Sequence, residues 1–316
     1  MKINQILNIK AMKILFRTLL ACAVAFSLAA CDNKQATPEA DSSNSGTQTG
    51  GTSTSDRVVM KIMSFNIRTG TSDRNTANAW EKRKAGVFEM LKTEEPMIVG
   101  LQEARKFQRT EILDACPDYD GFGVCRDTGK DVEGETGSVI YNKKLCSVEK
   151  YGYFWLTDKI DKSVPSVGWD ATYKRMATWA VVKVTKSGKR FFFMSTHLDH
   201  EGPQAQAGGM QVIMQKFEEL NTEKLPQVLV GDFNVLQTSD VFKVTEATMY
   251  NARLKAPSSD SVETFNNWGS SKKIIDHIFM SNTGFKLRSY STVNRAFAGI
   301  TYISDHYPIF VLATLN

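Results

Sequence analysis

Residues 228–234 read Val-Leu-Val-Gly-Asp-Phe-Asn, a short apolar run that ends in polar side chains. Its apolar, β-branched start predicts a buried strand. In extended geometry Asp232 and Asn234 are two positions apart, so their side chains point to one face. Because a carboxylate is unfavourable in apolar surroundings unless it has a partner, this stretch predicts a polar site at the end of a strand.

Polar or ionisable residues follow or interrupt several other apolar runs in the same way. They are Asn66, Glu103, His197, Asp276 and the triplet Ser304-Asp305-His306. Each fragment alone is weak evidence, because a buried Asp can cap a turn and a lone Asn or His is more often structural. Their joint appearance in one chain is the stronger signal.

Short apolar runs rich in Val, Ile and Phe alternate with helical patterns over residues 57–316. The predicted strands cover residues 58–66, 97–101, 137–141, 178–184, 190–197, 227–230, 273–280 and 307–312. The predicted helices cover residues 80–92 and 204–220. The sequence shows neither a repeat of roughly 20–50 residues nor an internal linker, which predicts a single α/β domain.

The order of the polar fragments resembles that of the endonuclease/exonuclease/phosphatase superfamily, the DNase I-like proteins. The matching series is Asn66, Gln102-Glu103, Thr196-His197, Gly231-Asp232-Phe233-Asn234, Asp276 and Ser304-Asp305-His306. The resemblance spans the whole domain. It implies an α/β fold of four layers, in which two packed β-sheets are flanked by helices and the site lies at one edge.

The resemblance also implies a metal-dependent phosphoesterase. The implied metal ligands are Glu103, Asn66 and Asp305. Hard oxygen ligands suit Mg²⁺, with Mn²⁺ or Ca²⁺ as substitutes. The implied catalytic residues are His197, Asp232, Asn234, Asp276 and His306. In this scheme Asp232 orients or deprotonates the attacking water, Asn234 holds its position, and the histidines donate to phosphoryl oxygens.

Asp276 and His277 are neighbours in a predicted strand, so their side chains face opposite sides. The family pattern selects Asp276 as the partner of His306, which leaves His277 as a structural residue. Asp199 and His200 could touch the substrate, although a turn at a strand end is the plainer explanation for both.

A finer resemblance, to small secreted members of the superfamily, lies between residues 123 and 184. It rests on Phe154-Trp155-Leu156, Gly168-Trp169-Asp170, Arg175 and Ala177-Thr178-Trp179-Ala180. Arg126 and Arg175 are candidate substrate-binding residues, since a guanidinium matches phosphate in bidentate fashion. Surface ion pairing is the equally weighted alternative for both. The three tryptophans of this region either pack in the core, which is the more common position for aromatic residues in strands, or form an aromatic surface for stacking.

The amino-terminal region has the pattern of a secretion signal. Lys10, Lys13 and Arg17 precede an uncharged apolar run at 18–30 that is too short to span a bilayer, which takes about 20 residues. The run ends in Leu28-Ala29-Ala30-Cys31, which resembles a lipobox. We therefore expect a lipoprotein signal peptide at 1–30, then a lipidated Cys31 and a flexible Ser/Thr/Gly-rich linker over 31–56. The alternative is an ordinary cleaved signal peptide.

Charge and cysteine content narrow the function classes only slightly. The formal net charge is +5, but residues 1–30 hold four basic residues and no acid, so the remainder is nearly neutral and gives no global sign of a nucleic-acid binder. Cys116, Cys125 and Cys146 remain outside the leader and lipobox. A Cys116–Cys125 bridge and three separate thiols are both compatible with the spacing, and no Cys/His cluster indicates zinc.

The sequence is compatible with three functions. The first is a phosphodiesterase or nuclease acting on nucleic acid or nucleotides, and the second is a phosphatase or phospholipase C-like hydrolase of phosphorylated lipids or sugars. The third is a surface binding protein on a decayed enzyme scaffold, against which the complete motif series argues. Val235 follows Asn234 where inositol-polyphosphate 5-phosphatases carry an Arg, which counts against that subgroup. The expected location is the cell envelope, either periplasmic or surface-exposed, with membrane contact through the lipid and no protein partner.

Overall fold

The computed structural model describes residues 58–316. The expected signal peptide, linker and Cys31 lie outside the described residues. The strands are β1 (Met60–Asn66), β2 (Ile98–Gln102), β3 (Tyr119–Phe122), β4 (Ser138–Asn142), β5 (Cys146–Trp155), β6 (Met176–Val184), β7 (Arg190–His197), β8 (Gln227–Asp232), β9 (Met249–Asn251), β10 (Asp276–Ser281), β11 (Phe285–Thr292) and β12 (Ile309–Leu315). The helices are α1 (Trp80–Glu94), α2 (Lys106–Ala115), α3 (Pro203–Leu220) and α4 (Ala252–Lys255).

The strands form two six-stranded sheets. The first has the order β11-β12-β1-β2-β4-β3 and the second the order β5-β6-β7-β8-β10-β9. Most neighbours are antiparallel, but β1 pairs with β2 and β7 with β8 in parallel. Because parallel strands end at the same edge, each sheet presents two carboxyl ends side by side.

Three apolar layers hold the fold together. One lies between the two sheets, one lies under α1 and α2 on the first sheet, and one lies under α3 on the second. The consecutive residues 191–193 are all Phe because their strand is covered on both faces: Phe191 and Phe193 enter the layer between the sheets, and Phe192 enters the layer under α3. The predicted four-layer α/β sandwich is therefore confirmed.

The two sheets approach one another closely near their shared edge. A Cβ atom at Gly100 in β2 would stand 2.3 Å from the Ser195 hydroxyl oxygen in β7. Nearby, Gln102 Nε2 donates to the same hydroxyl across the gap at 3.1 Å. The absence of a side chain at Gly100 therefore sets how near the sheets lie at this point.

All eight predicted strands and both predicted helices overlap observed elements. The predicted strand at 273–280 begins later, at Asp276, and the one at 307–312 is shifted to Ile309–Leu315. Strands β3, β5, β9 and β11 and helices α2 and α4 were not predicted. Among the described residues, no helix is both long and apolar enough to cross a membrane.

Three tryptophans contribute to the core, and the cysteines of residues 58–316 are not paired with one another. Trp155 is buried, and Trp169 and Trp179 pack partly buried against the layer under α3, so all three contribute to core packing. Cys116, Cys125 and Cys146 are separate, buried thiols, so no Cys116–Cys125 bridge forms.

Candidate active site

The predicted site residues meet at the shared edge of the two sheets. Asn66 ends β1, and Glu103 directly follows β2. In the second sheet His197 ends β7 and Asp232 ends β8, directly opposite one another in the parallel register. Asp276 begins the antiparallel β10 and is also opposite Asp232. The strand-end positions recognised in the sequence are therefore neighbours in space.

His306 and Asp276 form a buried pair. His306 Nδ1 donates to Asp276 Oδ2 at 2.8 Å, and both side chains are almost inaccessible to solvent. Burial disfavours the charged imidazolium, but the Asp276 and Asp232 carboxylates outweigh it and raise the pKa of His306 to about 10. His306 is therefore a cation at neutral pH, with its Nε2–H directed towards Asp232, whose Oδ2 atom is 3.7 Å away.

Asp232 lies between the two histidines. Its Oδ2 atom is 3.4 Å from His197 Nε2 and accepts a hydrogen bond from Asn66 Nδ2 at 3.0 Å. Burial, and then the neighbouring Asp276, raise the pKa of Asp232 to about 7. Burial also lowers the pKa of His197 well below its ordinary value, with Arg175 and Arg126 adding to the effect. His197 is therefore neutral where His306 is charged.

Asn66 and the backbone of Thr69 fix the Glu103 carboxylate. Asn66 Nδ2 donates to Glu103 Oε1 at 3.1 Å, and the Thr69 N–H donates to Oε2 at 3.0 Å. Burial alone would raise the pKa of Glu103, but these hydrogen bonds together with His306 and Arg68 lower it. Asn66 presents its amide nitrogen to the carboxylates, while its oxygen accepts from the Arg68 N–H at 3.0 Å. Its role as a direct metal ligand stays a prediction.

Glu103 and Asp305 are two acidic residues that line the same cavity and interact electrostatically. Burial and the Glu103 carboxylate raise the pKa of Asp305, while His306 and then Arg68, whose Nη1 lies 3.5 Å from Asp305 Oδ2, offset only part of this. Two carboxylates in one cavity offer the hard oxygen ligands that suit a divalent cation such as Mg²⁺. A second group of candidate ligand atoms, on Asp232, Asp276 and His306, lies within 4.8 Å of one another. The family resemblance assigns these three residues to catalysis and not to cation binding.

Four residues that line the site cavity have left-handed backbone conformations. The φ angles are 56° at Arg68, 59° at Glu103, 55° at Asn234 and 43° at Asn267. Residues other than glycine rarely adopt this conformation, and such positions concentrate at functional sites. At Asn234 the turn is held by Asp232 Oδ1, which accepts from the Asn234 N–H at 2.9 Å, and by the Leu198 carbonyl, which accepts from Asn234 Nδ2 at 3.0 Å.

Arg126 and Arg175 both line the cavity, but their environments differ. Arg126 forms an ion pair with Glu135, and its guanidinium lies 5.0 Å from the centre of the Tyr173 ring. Arg175 is 5% exposed and is held by Asp199 Oδ2 at 3.3 Å. Its pairing is therefore internal and not the surface ion pair considered from the sequence. Binding of substrate by either arginine stays a prediction.

The sequence left the roles of Asp199 and His200 open and predicted a structural role for His277. Asp199 is buried and accepts hydrogen bonds from the backbone N–H groups of Glu201 and Gly202, as expected for a strand-end turn. His200 lines the cavity, and its Nδ1 accepts from Arg175 Nη2 at 3.2 Å. His277 points away from the site into the layer under α3.

Most of the predicted site residues line an open cavity of about 570 Å³, but Asn66 and Asp276 are not among its lining residues. Most of the charged groups on its walls could be predicted from the sequence. Several other lining residues could not, among them Arg68, Glu135, Tyr173, Phe265, Asn267 and Lys273. Glu135 Oε1 lies 4.0 Å from His197 Nδ1. Except for Lys273, which the predicted strand at 273–280 included, these residues come from loops without an apolar pattern. Only Arg68, two positions after Asn66, carried a signal that could have pointed to it.

A two-sheet sandwich that brings a strand-end aspartate, two histidines and a pair of hard carboxylates to one edge defines a DNase I-like hydrolase of phosphate esters. Residues 63–306 match the sequence model of the Endonuclease/Exonuclease/phosphatase family, and the chain belongs to that family. Members of the family hydrolyse phosphoesters.

Solved structures and a viral protein resemble the chain over most of its length. A family protein from Bacteroides vulgatus is 33% identical with a TM-score of 0.74, covering 82% of this chain and 100% of that one. A mannosyl-6-phosphatase from Bacteroides thetaiotaomicron is 30% identical with a TM-score of 0.73, covering 80% and 99%. An uncharacterised protein of Acanthamoeba polyphaga mimivirus is 22% identical over 278 residues, covering 80% and 99%.

Proposed function

We propose that the protein is a divalent-cation-dependent phosphatase that removes phosphate from small phosphorylated molecules such as sugars. The observation that carries the proposal is the position of Asp232, which lies within 4 Å of both a neutral and a charged histidine at the edge that also holds Glu103 and Asp305. This reverses the order of preference from the sequence, in which a diesterase or nuclease came first.

Glu103 and Asp305 would hold the cation, with Asn66 as the third predicted ligand. A cation bound there would neutralise charge on the phosphoryl group and stabilise the leaving oxygen. The hydrogen bonds from Asn66 and Thr69 keep Glu103 ionised and fixed in orientation. Such fixed hydrogen bonds support the affinity of a metal ligand.

Asp232 is the group suited to accept a proton from the attacking water. A general base is most effective when its pKa lies near the working pH, and the pKa of Asp232 is about 7. The amide of Asn234 is fixed by Leu198 and borders the same cavity, where its oxygen can hold the water beside Asp232.

The two histidines are suited to donate hydrogen bonds to the phosphoryl oxygens. His306 remains charged because Asp276 supports it, and donation from a charged group is stronger than from a neutral one. His197 is neutral and therefore has one N–H group that can donate a hydrogen bond. Arg126 adds a cationic group on the His197 side of the cavity.

The shape and charge of the cavity favour a compact monoester. A volume of about 570 Å³ is in the range of small-molecule sites, roughly 300–1,000 Å³. A phosphate monoester carries close to two charges and three acceptor oxygens at neutral pH, which suits an abundance of cationic donors. The similarity to a mannosyl-6-phosphatase supports the same substrate class.

The test is a substrate panel with and without Mg²⁺. It compares mannose 6-phosphate, other sugar phosphates and p-nitrophenyl phosphate with bis-p-nitrophenyl phosphate, single-stranded RNA, duplex DNA and sphingomyelin. We expect kcat/KM to be highest for a sugar phosphate and negligible without the cation. A higher kcat/KM for a diester would reject the phosphatase proposal, and full activity after exhaustive chelation would reject the metal.

We also propose that the enzyme is anchored in the cell envelope through Cys31. The lipobox-like Leu28-Ala29-Ala30-Cys31 and the polar segment behind it support this. In fractionated cells the wild-type protein is expected with the membranes, whereas Cys31→Ser should be released or left unprocessed. Mass spectrometry that finds an unmodified mature terminus would reject the anchor.

A further inference from the structure

Arg83 on helix α1 is a buried cation that forms no ion pair with an acidic side chain of residues 58–316. It is 1% exposed, and its burial lowers the pKa to about 10, which leaves it charged at neutral pH. The guanidinium lies within 5.0 Å of the Trp80 ring centre and 5.9 Å of that of Trp268. A charge in such a place requires polar partners.

The partners of Arg83 are backbone carbonyl oxygens from two separate loops. Its Nη1 donates to the oxygen of Ile67 at 2.5 Å and to that of Ile303 at 3.0 Å. Its Nη2 donates to the oxygen of Arg68 at 2.6 Å, and its Nε to that of Asn78 at 3.0 Å. One rigid, planar group therefore joins the segment after β1 to the segment before β12.

These two segments carry parts of the proposed metal site. Ile67 directly follows Asn66, which orients Glu103, and Ile303 comes two positions before Asp305. A second link joins the same segments, because the Ser304 hydroxyl donates to the carbonyl oxygen of Asn66 at 2.7 Å. The contacts that join these two segments therefore set the distance between Glu103 and Asp305.

We infer that Arg83 is a positioning residue for the cation site: it sets the spacing of the two loops, and through them the placement of Asp305 relative to Glu103. The inference rests on the proposed function, because it presupposes that these carboxylates bind a cation. Lysine cannot replace this role, since a single ammonium on a flexible stem does not reproduce the fork of a guanidinium.

The test compares Arg83→Lys with a matched control, Arg253→Lys. Arg253 is also a buried arginine, 7% exposed, that donates to a loop carbonyl, that of Val262 at 2.7 Å, but it does not border the catalytic cavity. Mn²⁺ binding to each full-length protein is measured by calorimetry without substrate. We expect the Kd of Arg83→Lys to rise by about 10- to 100-fold, the usual effect of losing support behind a metal ligand. The control should stay within about twofold of wild type.

The outcomes separate this inference from the proposed function. If wild type binds no divalent cation, both fail. If wild type binds Mn²⁺ and Arg83→Lys binds it equally well, or if Arg253→Lys weakens binding as much, only the positioning role is overturned. Arg83→Gln, which is uncharged and smaller, is measured as a second variant. Failure of both Arg83 variants to fold while Arg253→Lys folds would assign Arg83 to general stability and also overturn the inference.

Discussion

His306 Nδ1 lies 2.8 Å from Asp276 Oδ2, although the two residues belong to different segments of the chain. Asp276 begins β10 in the second sheet, and His306 lies in the segment before β12 of the first. Their contact joins the two sheets at the site and keeps the imidazole charged. A carboxylate in this position fixes the orientation of the ring and makes its other N–H a stronger donor.

Removing either partner of this pair should disable the same function. We expect His306→Ala to lower kcat by about 100-fold or more, the usual range for a group acting in proton transfer or charge stabilisation. The double variant Asp276→Asn/His306→Ala should be scarcely worse than His306→Ala alone. Steady-state kinetics of the four proteins measure this cycle. Fully additive losses would make Asp276 a structural carboxylate.

Glu103→Gln should raise the cation concentration needed for half-maximal activity, because an amide is a weaker ligand for a hard cation than a carboxylate. An increase of at least about tenfold is expected from Mg²⁺ titration of the rate. Glu94→Gln is the matched control: Glu94 is also buried, but it pairs with Lys61 and Arg295 away from the cavity. Equal cation requirements for the two variants would contradict the ligand role of Glu103.

Asp232→Asn should abolish turnover while leaving cation binding largely intact. An amide cannot accept the proton of the attacking water, so kcat should fall by about 10²- to 10⁴-fold. Rates at saturating Mg²⁺ and calorimetric Mn²⁺ binding test the two parts separately. A variant that keeps more than about a tenth of the wild-type kcat, a loss under ~1.4 kcal/mol, would show that Asp232 is not the base.

The buried His277 should make stability depend on pH. Its Nε2–H donates to the carbonyl oxygen of Val235 at 2.9 Å, its ring packs against Phe233 and Phe242, and burial lowers its pKa from 6.5 to about 4. Between these values the unfolded chain takes up a proton and the folded chain does not. The contribution of His277 to the free energy of unfolding is therefore fully present above pH 6.5 and decreases as the pH falls towards 4.

Substitution of His277 by Phe isolates this effect. The shift corresponds to roughly 3 kcal/mol in total, of which about 2 kcal/mol should be lost between pH 7 and pH 5. Urea unfolding at both pH values measures it for wild type and for His277→Phe, which has no titrating group there. Stability should fall more in wild type than in the variant. Parallel falls in both proteins would rule out the linkage.

The central part of the fold could be predicted from sequence, and its margins could not. The four strands that were missed, β3, β5, β9 and β11, are the four sheet edges. Edge strands are partly solvated and mix polar with apolar residues, as in β5, whose middle is exposed. The central strands are covered on both faces and therefore appear as continuous apolar runs. Helix α2 was missed as well, because few of its residues are buried.

The same contrast applies to the site. Asp232 and Asp276 could be recognised because each lies at the end of an apolar strand, where a charged side chain is unfavourable unless it has a polar partner. Glu135 and Tyr173 reach the cavity from loops, and nothing in a loop sequence indicates which side chain turns inward. The sequence also could not distinguish Arg126 from Arg175, because the burial that separates them comes from tertiary packing.

The division of the site between two sheets has a consequence for variation in the core. Asn66, Glu103 and Asp305 depend on the first sheet, and His197, Asp232 and Asn234 depend on the second. The separation of the sheets, set near the site by the absence of a side chain at Gly100, is therefore also the separation of the proposed cation site from the proposed base, Asp232. A larger residue in the layer between the sheets would push the sheets apart. This would alter the reaction geometry while leaving every proposed catalytic side chain unchanged.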